Sequence, residues 1–382
     1  MKKILFVTES LNTGGLERVL VDIANVLVQR KYDVTILLYM QNSKNNLQKQ
    51  LNPKVKVIQK ERKPFKILRK TPYIHRYYRN YKWEKRTSAR SLYKYYVGKE
   101  KFDVEIAFYR GPSIKIISGS TNKKSLKLAW VHTDFRLCDP KSITHFFNNL
   151  DEVRYAYKQF DKIVCVSNKA RESFIEVIGC EEKTTTIYNM IPVETIIQKS
   201  KEPCTQRKQR FTIITVGRLI DAKGYDRLLR VIKRLNEEGF LFDMWFVGYG
   251  RNEDELKAYA QNNHLENISF LGYQENPYSY MAQADLFICS SIREGFSLVV
   301  AEAMACGLPV ISTRCTGPTE ILNNGEFGIL VDNDETSIYE GLKAILTNSI
   351  EYRCLSEVSK RRSRDFDVDK IINNIITMIE GD

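Results

Sequence analysis

The chain has 382 residues, of which 43% are hydrophobic and 27% are charged. This composition is that of a folded globular protein, and the length exceeds that of one ordinary core, so we expect two domains. Eight cysteines are scattered without a CxxC pair, which argues against a zinc site or a disulfide framework. Neither a leader-like segment nor a membrane-spanning apolar stretch is visible, and we therefore expect a cytoplasmic protein.

The net charge of +13 is concentrated in one segment. Residues 60–101 contain fifteen Lys and Arg, three acidic residues and nine aromatic side chains. Basic residues interleaved with aromatic ones favour a helix that lies in the headgroup layer of an anionic membrane. A solvated face and a nucleic-acid site are the alternatives, but no nucleic-acid-binding motif accompanies the charge, so we expect no nucleic-acid partner. The predicted membrane or acceptor contacts are Arg69, Lys70, Arg76, Arg79, Lys82, Trp83, Lys85 and Arg86.

The first 195 residues are predicted to form one domain. A strand over Lys3–Thr8 is followed by a glycine loop, apolar residues at helical spacing from Leu16 to Leu27, and a strand over Asp33–Tyr39. Strand, helix and strand at this spacing form the βαβ unit of a parallel sheet. Further strands are predicted at Val104–Phe108, Leu126–Val131 and Ile163–Val166. The basic segment 60–101 interrupts this rhythm and is interpreted as a helical insertion.

A polar linker is predicted over 196–210, and the alternation of strands and helices then restarts in a second domain, 211–365. Its predicted strands are Phe211–Val216, Met244–Val247, Ile268–Leu271, Leu286–Cys289 and Val310–Ser312. Its predicted helices are Tyr225–Glu237, Glu253–Gln261, Ser297–Cys306 and Ser337–Leu346. Ligands of such doubly wound sheets bind at the carboxyl ends of the strands.

The strongest chemical signal is the stretch EGFSLVVAE, which begins at Glu294 and ends at Glu302. A glycine turn that leads into a helix presents free backbone N–H groups, and phosphate is their usual ligand. A carboxylate accepts two hydrogen bonds at once, so both glutamates suit the hydroxyl groups of a sugar or a ribose. The alternative is that both are ordinary solvated glutamates.

Two more loops carry residues suited to phosphate. Arg218 follows a predicted strand and Lys223 opens the next helix, so their charges would neutralise a diphosphate and stabilise it as a leaving group. Gly14 and Gly15 allow the backbone of the opening loop to approach a phosphate or a sugar. Their spacing is not GxGxxG, which weakens a nicotinamide or flavin interpretation.

His132 lies in the stretch WVHTD, at the end of a predicted strand of the first domain. At this position an imidazole could form a hydrogen bond with a sugar hydroxyl. A purely structural histidine is the alternative.

Together these motifs resemble the retaining glycosyltransferases of the GT-B fold, in particular the large family 4 group. The similarity covers most of the chain and is strongest from Thr215 to Val331. Its most specific element is EGFSLVVAE, and the motifs GRL…KG, CGLPVIST with GPTE, GGLER and WVHTD also occur in the family's order. The resemblance implies an α/β fold of two Rossmann-like doubly wound domains that face each other across a cleft, with a last helix, 366–382, packing back on the first domain.

The resemblance also implies a set of site residues. Arg218 and Lys223 are expected to clamp the diphosphate, Glu302 to bind the ribose, and backbone groups after Leu271 to read the base. The expected donor-binding residues are Gly15, Arg218, Lys223, Gly272, Tyr273, Glu294, Gly295, Phe296, Ser297, Leu298 and Glu302. The expected catalytic residues are Arg218, Lys223, Glu294 and His132.

The implied reaction is the transfer of a hexose or an N-acetylhexosamine from a UDP-sugar, with retention of configuration and without a metal ion or another cofactor. The implied acceptor is a polyprenyl-diphosphate- or lipid-linked glycan of bacterial surface polysaccharide or glycoconjugate synthesis, reached from the inner face of the plasma membrane. The alternatives are an inverting transferase with His132 or Asp134 as base, a nucleotide-sugar epimerase, and a phosphorylase. An oxidoreductase and a non-catalytic membrane-surface protein are the alternatives from other classes.

Overall fold

The computed structural model describes residues 1–43, 46–60, 81–348 and 354–381. The chain divides into two compact units. Unit 1 comprises Met1–Tyr188 together with the C-terminal residues from Ile372 onward, and unit 2 comprises Asn189–Ile371. Each unit is built on one parallel sheet, and the predicted pair of Rossmann-like α/β domains is confirmed.

The sheet of unit 1 has the strand order β3-β2-β1-β4-β5-β6-β7 in the described part of the chain. Its strands are β1 (Lys3–Thr8), β2 (Asp33–Leu38), β3 (Lys56–Gln59), β4 (Val104–Ala107), β5 (Leu126–Val131), β6 (Lys162–Cys165) and β7 (Thr184–Thr186). The central strand β1 pairs in parallel with β2 on one side and with β4 on the other. Its apolar side chains from Ile4 to Val7 are fully buried, as expected of a strand covered on both faces.

The sheet of unit 2 has the order β10-β9-β8-β11-β12-β13. Its strands are β8 (Thr212–Val216), β9 (Asp243–Val247), β10 (Ile268–Gly272), β11 (Leu286–Cys289), β12 (Val310–Thr313) and β13 (Ile329–Val331). All their pairings are parallel, with Ile213 of β8 opposite both Met244 and Leu286. The strand β8 is therefore central, like β1 in unit 1.

Helices connect the strands and bury an apolar stripe against them. In Tyr225–Glu237, for example, Leu228, Ile232 and Leu235 are buried at helical spacing. The described helices before residue 200 are Gly15–Gln29, residues 81–86, Ala89–Tyr96, Pro112–Ser118, Pro140–Ile143, Leu150–Lys158, Asn168–Ile178 and Val193–Ser200. Those after it are Tyr225–Glu237, Glu253–Asn262, Tyr278–Met281, Leu298–Ala305, Thr316–Ile321, Glu335–Thr347, Cys354–Ser363 and Val368–Glu380. Within the described ranges, none of these helices combines the length and the apolar character that crossing a bilayer requires.

The boundary between the units differs from the predicted one. Unit 2 begins at Asn189, whereas the sequence indicates a first domain that ends at 195 and a linker over 196–210. The reason is that Val193–Ser200 is a helix with buried Val193 and Ile196, and it packs against two helices of unit 2. At the other end, the last helix begins in unit 2, and Lys2 of unit 1 forms an ion pair of 2.8 Å with Glu380 near its end.

Candidate active site

The centre of the unit 2 sheet is a topological switch point. From β8 the chain proceeds to β9 on one side, whereas β11, its other neighbour, is followed by β12 further out on the opposite side. The loops after β8 and β11 both lie at the carboxyl edge of this switch point, which is where doubly wound sheets bind ligands. These two loops, 217–224 and 290–297, carry the predicted clamp and the EGFS motif.

The two loops are joined by hydrogen bonds. Ser290 Oγ donates to the carbonyl of Lys223 at 2.8 Å, and the N–H of Ile292 donates to the carbonyl of Ala222 at 2.8 Å. Gly224 makes this approach possible, because a Cβ there would lie 2.5 Å from the carbonyl oxygen of Ser290. Its φ of 61° is also one that side-chain-bearing residues rarely adopt.

Lys223 and Glu294 form an ion pair at the junction of the two loops. The Lys223 ammonium contacts Glu294 Oε1, which also accepts a hydrogen bond from Ser291 Oγ at 3.0 Å. Both side chains are largely buried, with 18% and 16% of their surface exposed. Burial alone would lower the pKa of Lys223, but the Glu294 carboxylate outweighs it and raises the pKa above its ordinary value, so the lysine stays charged at neutral pH. Arg218 is exposed and is not part of this pair.

The helix Leu298–Ala305 begins directly after this pair. Ser297 precedes it with a φ of 73°, in the left-handed region, and its buried hydroxyl has no hydrogen-bond partner among the residues that the structure describes. Gly317 packs against the turn so closely that a Cβ there would lie 2.2 Å from the carbonyl oxygen of Phe296. The first N–H groups of a helix have no intrahelical partner, and a strained turn with an unpaired hydroxyl beside them indicates a place for an anion.

The other predicted donor-binding residues lie around this edge. Glu302 is buried in the same helix, and its Oε1 accepts a hydrogen bond from the Tyr278 hydroxyl at 2.9 Å. Gly272, with a φ of 66°, ends β10, and Tyr273 follows it with 55% of its surface exposed. The Tyr273 ring meets the exposed Tyr249 ring edge-on, with 5.9 Å between the centroids.

Sequence reasoning missed three residues that hold the loop after β11. The buried guanidinium of Arg227 donates to the carbonyls of Ser290 and Ser291, at 2.6 and 3.2 Å. Asn333 and Thr313 bond the same loop from two other segments. Asn333 precedes Asp334, whose side chain caps the helix Glu335–Thr347.

In unit 1, Gly15 begins the helix Gly15–Gln29 after β1, and His132 follows β5. His132 Nε2 lies 3.0 Å from the carbonyl oxygen of Phe108, so Nε2 carries the proton and Nδ1 is left as an acceptor. Burial lowers the pKa of His132 to about 4, which makes it a neutral group and a weak base at pH 7. Asp134, the other candidate base, caps a short helical turn and forms an ion pair with Arg136.

The basic segment is described only in part. Four of the predicted contacts, Arg69, Lys70, Arg76 and Arg79, lie outside the described residues. Lys82 and Arg86 are exposed and Lys85 is half-buried, on residues 81–86, which are helical. Trp83 is half-buried and packs against the core of unit 1, with its ring 5.1 Å from that of Tyr95.

Comparisons with known proteins agree with this geometry. A family model described as Glycosyltransferase Family 4 matches residues 13–195, and one described as Glycosyl transferases group 1 matches residues 197–362. The chain is 32% identical, over 64% of its length and 68% of the relative's, to N-acetylgalactosamine-N,N'-diacetylbacillosaminyl-diphospho-undecaprenol 4-alpha-N-acetylgalactosaminyltransferase of Campylobacter jejuni. It is 26% identical to an uncharacterized glycosyltransferase of Haemophilus influenzae, over 97% of this chain and 98% of that one.

Among solved structures, Anabaena HepE in complex with UDP and glucose has the same fold. The TM-score is 0.75 at 19% identity, and the alignment covers 100% of both chains. At this identity the likeness is one of fold.

Proposed function

This chain belongs to the family 4-type glycosyltransferases of the GT-B fold, and we propose that it moves a hexose or an N-acetylhexosamine from a UDP-sugar to a lipid-linked glycan. The observation that carries the proposal is the Lys223–Glu294 ion pair beside a helix start at the switch point of unit 2. A phosphate oxygen is a partner for the lysine, and a sugar hydroxyl is a partner for the glutamate. A sugar diphosphate offers both groups in one molecule.

In the proposed reaction, the bond between the anomeric carbon and the phosphate oxygen breaks while a bond to the acceptor oxygen forms on the same face. The acceptor hydroxyl passes its proton to the departing phosphate, so UDP leaves and the configuration is retained. Negative charge grows on that phosphate as the bond breaks. Lys223, which is held protonated, stabilises this charge together with Arg218 and the N–H groups of Ser297 and Leu298.

The rest of the donor is assigned to groups along the same edge. Glu294, with the backbone of Gly295 and Phe296, would bind hydroxyl groups of the transferred sugar. Glu302 would bind the ribose through the oxygen that Tyr278 leaves open, and backbone groups at Gly272 and Tyr273 would read the base. Uracil is the proposed base, which is supported by the UDP and glucose of the HepE complex.

Unit 1 is assigned to the acceptor. His132 Nδ1 would accept a hydrogen bond from a sugar hydroxyl, and Gly15 would allow close approach of the backbone at the start of its helix. A lipid-linked acceptor is supported by the Campylobacter relative, whose name specifies a sugar attached to diphospho-undecaprenol. The exposed cations Lys82, Arg86 and Lys94 would hold unit 1 on an anionic membrane by charge, without insertion of aromatic rings.

The decisive experiment is a transfer assay with the UDP forms of glucose, galactose and their N-acetylamino derivatives, and with a GDP-sugar for comparison. Polyprenyl-diphosphate-linked sugars are the acceptors, and NMR of the product reports the anomeric configuration. We expect one UDP-sugar to be used with retention. An inverted product would contradict the proposed mechanism, and turnover with the GDP-sugar alone would contradict the proposed donor.

A thermal-shift panel separates binding from turnover. A ligand at one hundred times its Kd stabilises a fold by about 2.7 kcal/mol, which is readily detected. We expect UDP to raise the Tm, whereas NAD and inorganic phosphate leave it unchanged. Stabilisation by NAD in place of UDP would contradict the assignment of the site.

A further inference from the structure

Arg227 forms hydrogen bonds with the backbone of the loop 290–294. This side chain comes from the helix Tyr225–Glu237 and is buried. Its Nη2 donates to the carbonyl oxygens of Ser290 and Ser291, and also to Asn333 Oδ1 at 2.5 Å. Its Nη1 donates to the carbonyl of Asn333 at 3.0 Å. One planar guanidinium therefore ties two distant segments of the chain together with charge-assisted hydrogen bonds.

Two other side chains also bond to carbonyl groups of this loop. Asn333 Nδ2 donates to the carbonyl of Ile292 at 3.0 Å, and Thr313 Oγ1 donates to that of Ser291 at 2.6 Å. Three consecutive carbonyl groups, from 290 to 292, are thus fixed by side chains that lie outside the loop. Glu294 follows two residues later, so its position depends on the framework formed by Arg227, Asn333 and Thr313.

Stability alone gives little reason for a cation at this position. Arg227 Nε is buried without a hydrogen-bond partner in the part of the chain that is described, and burial lowers the pKa of the guanidinium. A buried and incompletely bonded charge costs free energy, and a well-packed apolar side chain is often as stable. Arg230 on the same helix differs, since it is exposed and forms surface ion pairs with Glu335 and Asp226.

We propose that Arg227 is a positioning residue of the donor site. By fixing the carbonyl groups of the loop 290–294, it sets the Glu294 carboxylate against Lys223 and against the sugar of the donor. The inference rests on the proposed function, because that function gives Glu294 its partner. Arg227 itself touches neither reacting atom.

A double-mutant cycle tests the inference. The variants are Arg227→Lys, Glu294→Gln and their combination, with Arg230→Lys as the matched control on the same helix. Assays are run well below the Tm of each variant. Lysine keeps the charge but lacks the planar fork with which the guanidinium reaches the loop carbonyls and Asn333 from two nitrogens, so we expect kcat/KM for the donor to fall about tenfold, the size of one charge-assisted hydrogen bond. In the Glu294→Gln background, Arg227→Lys should lower kcat/KM less than about twofold, because the Glu294 carboxylate through which Arg227 acts is gone.

The inference would be overturned if Arg227→Lys and Glu294→Gln lowered kcat/KM independently of each other. It would also be overturned if Arg230→Lys lowered kcat/KM as much as Arg227→Lys does. In either case Arg227 would be a structural residue. If Arg227→Lys fails to fold, Asn333→Ala takes its place, since Asn333 is exposed and joins the same framework.

A second readout does not depend on the reaction. The rate at which Lys223 is acetylated by a limiting reagent, measured by mass spectrometry, reports how firmly its ammonium is paired with Glu294. We expect Arg227→Lys to raise this rate severalfold and Arg230→Lys to leave it unchanged; equal rates in both variants would count against the framework. An increase without any turnover of UDP-sugars by the parent protein would support the positioning role while contradicting the proposed function.

Discussion

The carboxyl edges of the two sheets share a topology but differ in how their polar groups are partnered. In unit 2, Lys223 faces Glu294, and the loop that carries Glu294 is bonded to Arg227 and Asn333. In unit 1, the corresponding edge holds His132, which burial keeps neutral. The unit 2 edge thus holds a largely buried ion pair on bonded loops, an arrangement suited to a small charged ligand, whereas His132 gives the unit 1 edge a neutral group beside the ion-paired Asp134.

The largest expected effect is at the unit 2 edge. Lys223→Gln keeps the size of the side chain but removes the cation that faces the departing phosphate. The loss of one preorganised group of this kind lowers kcat about 10²- to 10³-fold. Steady-state transfer from the UDP-sugar measures it. Lys233→Gln is the control, because Lys233 lies on the following helix with 40% of its side chain exposed; equal rates for the two variants would contradict the role of Lys223.

The next effect concerns the basic face of unit 1. Replacing Lys82, Arg86, Arg90 and Lys94 by glutamine removes four exposed cations. Each contributes about 1 kcal/mol near an anionic membrane, so the affinity for vesicles should fall at least tenfold. Sedimentation with vesicles that contain anionic lipid measures it, and transfer to a water-soluble acceptor should stay unchanged.

The matched control for that experiment carries four exposed cations of unit 2, Lys201, Lys208, Lys257 and Lys360, replaced in the same way. Added salt should release the parent protein, since exposed charges are screened. Binding that is insensitive to salt, or equal losses for both quadruple variants, would contradict charge-driven docking through unit 1.

A smaller effect concerns the neutral histidine. The pKa of His132 is lowered from 6.5 to about 4, so the folded state binds the proton less readily than the unfolded state does. The stability that this group contributes is therefore complete above pH 6.5 and is lost as the pH falls toward 4, by about 3 kcal/mol at most. Urea unfolding at pH 7 and pH 4.5 measures it.

The comparison variant for that measurement is His132→Gln, which can still donate to the carbonyl of Phe108. It should show a smaller loss of stability between the two pH values than the parent does. His264→Asn, at an exposed histidine, should behave like the parent. Identical pH dependence in all three proteins would mean that His132 is not held neutral by the fold.

The smallest expected effect is that of chelation. If Lys223 and Arg218 supply the positive charge at the diphosphate, transfer should continue at its full rate after dialysis against EDTA. A rate restored only by Mg²⁺ or Mn²⁺ would show that the unit 2 edge depends on a metal ion for part of that charge.

Much of the fold follows from apolar periodicity. The strands Lys3–Thr8, Leu126–Val131 and Leu286–Cys289 and the helix Tyr225–Glu237 have the predicted bounds. Three strands were not predicted, namely Lys56–Gln59, Thr184–Thr186 and Ile329–Val331. Each lies at the edge of its sheet and has three or four residues, so it is held by backbone pairing with a neighbour more than by its own apolar side chains.

The candidate site was predictable where the signal is local. Glycines before helix starts and charges after strands indicated Lys223, Glu294 and Ser297 directly from the chain. Arg227 was not predictable, because its partner Asn333 is 106 residues away and nothing in the helix distinguishes it from the exposed Arg230. For a related reason, composition counts Trp83 but does not tell which way its ring faces, and in the structure the half-buried ring packs against the core of unit 1.

The ion pair between Lys223 and Glu294 also bears on product release. Lys223 and Glu294 serve as counter-ions to each other, so under the proposed function the binding of a sugar diphosphate would exchange one set of partners for another. After the proposed transfer, UDP would still offer phosphate to the lysine, but the sugar hydroxyl groups that faced the glutamate would be gone. A largely buried carboxylate that has lost its counter-ion is unfavourable, and re-forming the pair would therefore favour release of the nucleotide and prepare the site for the next donor.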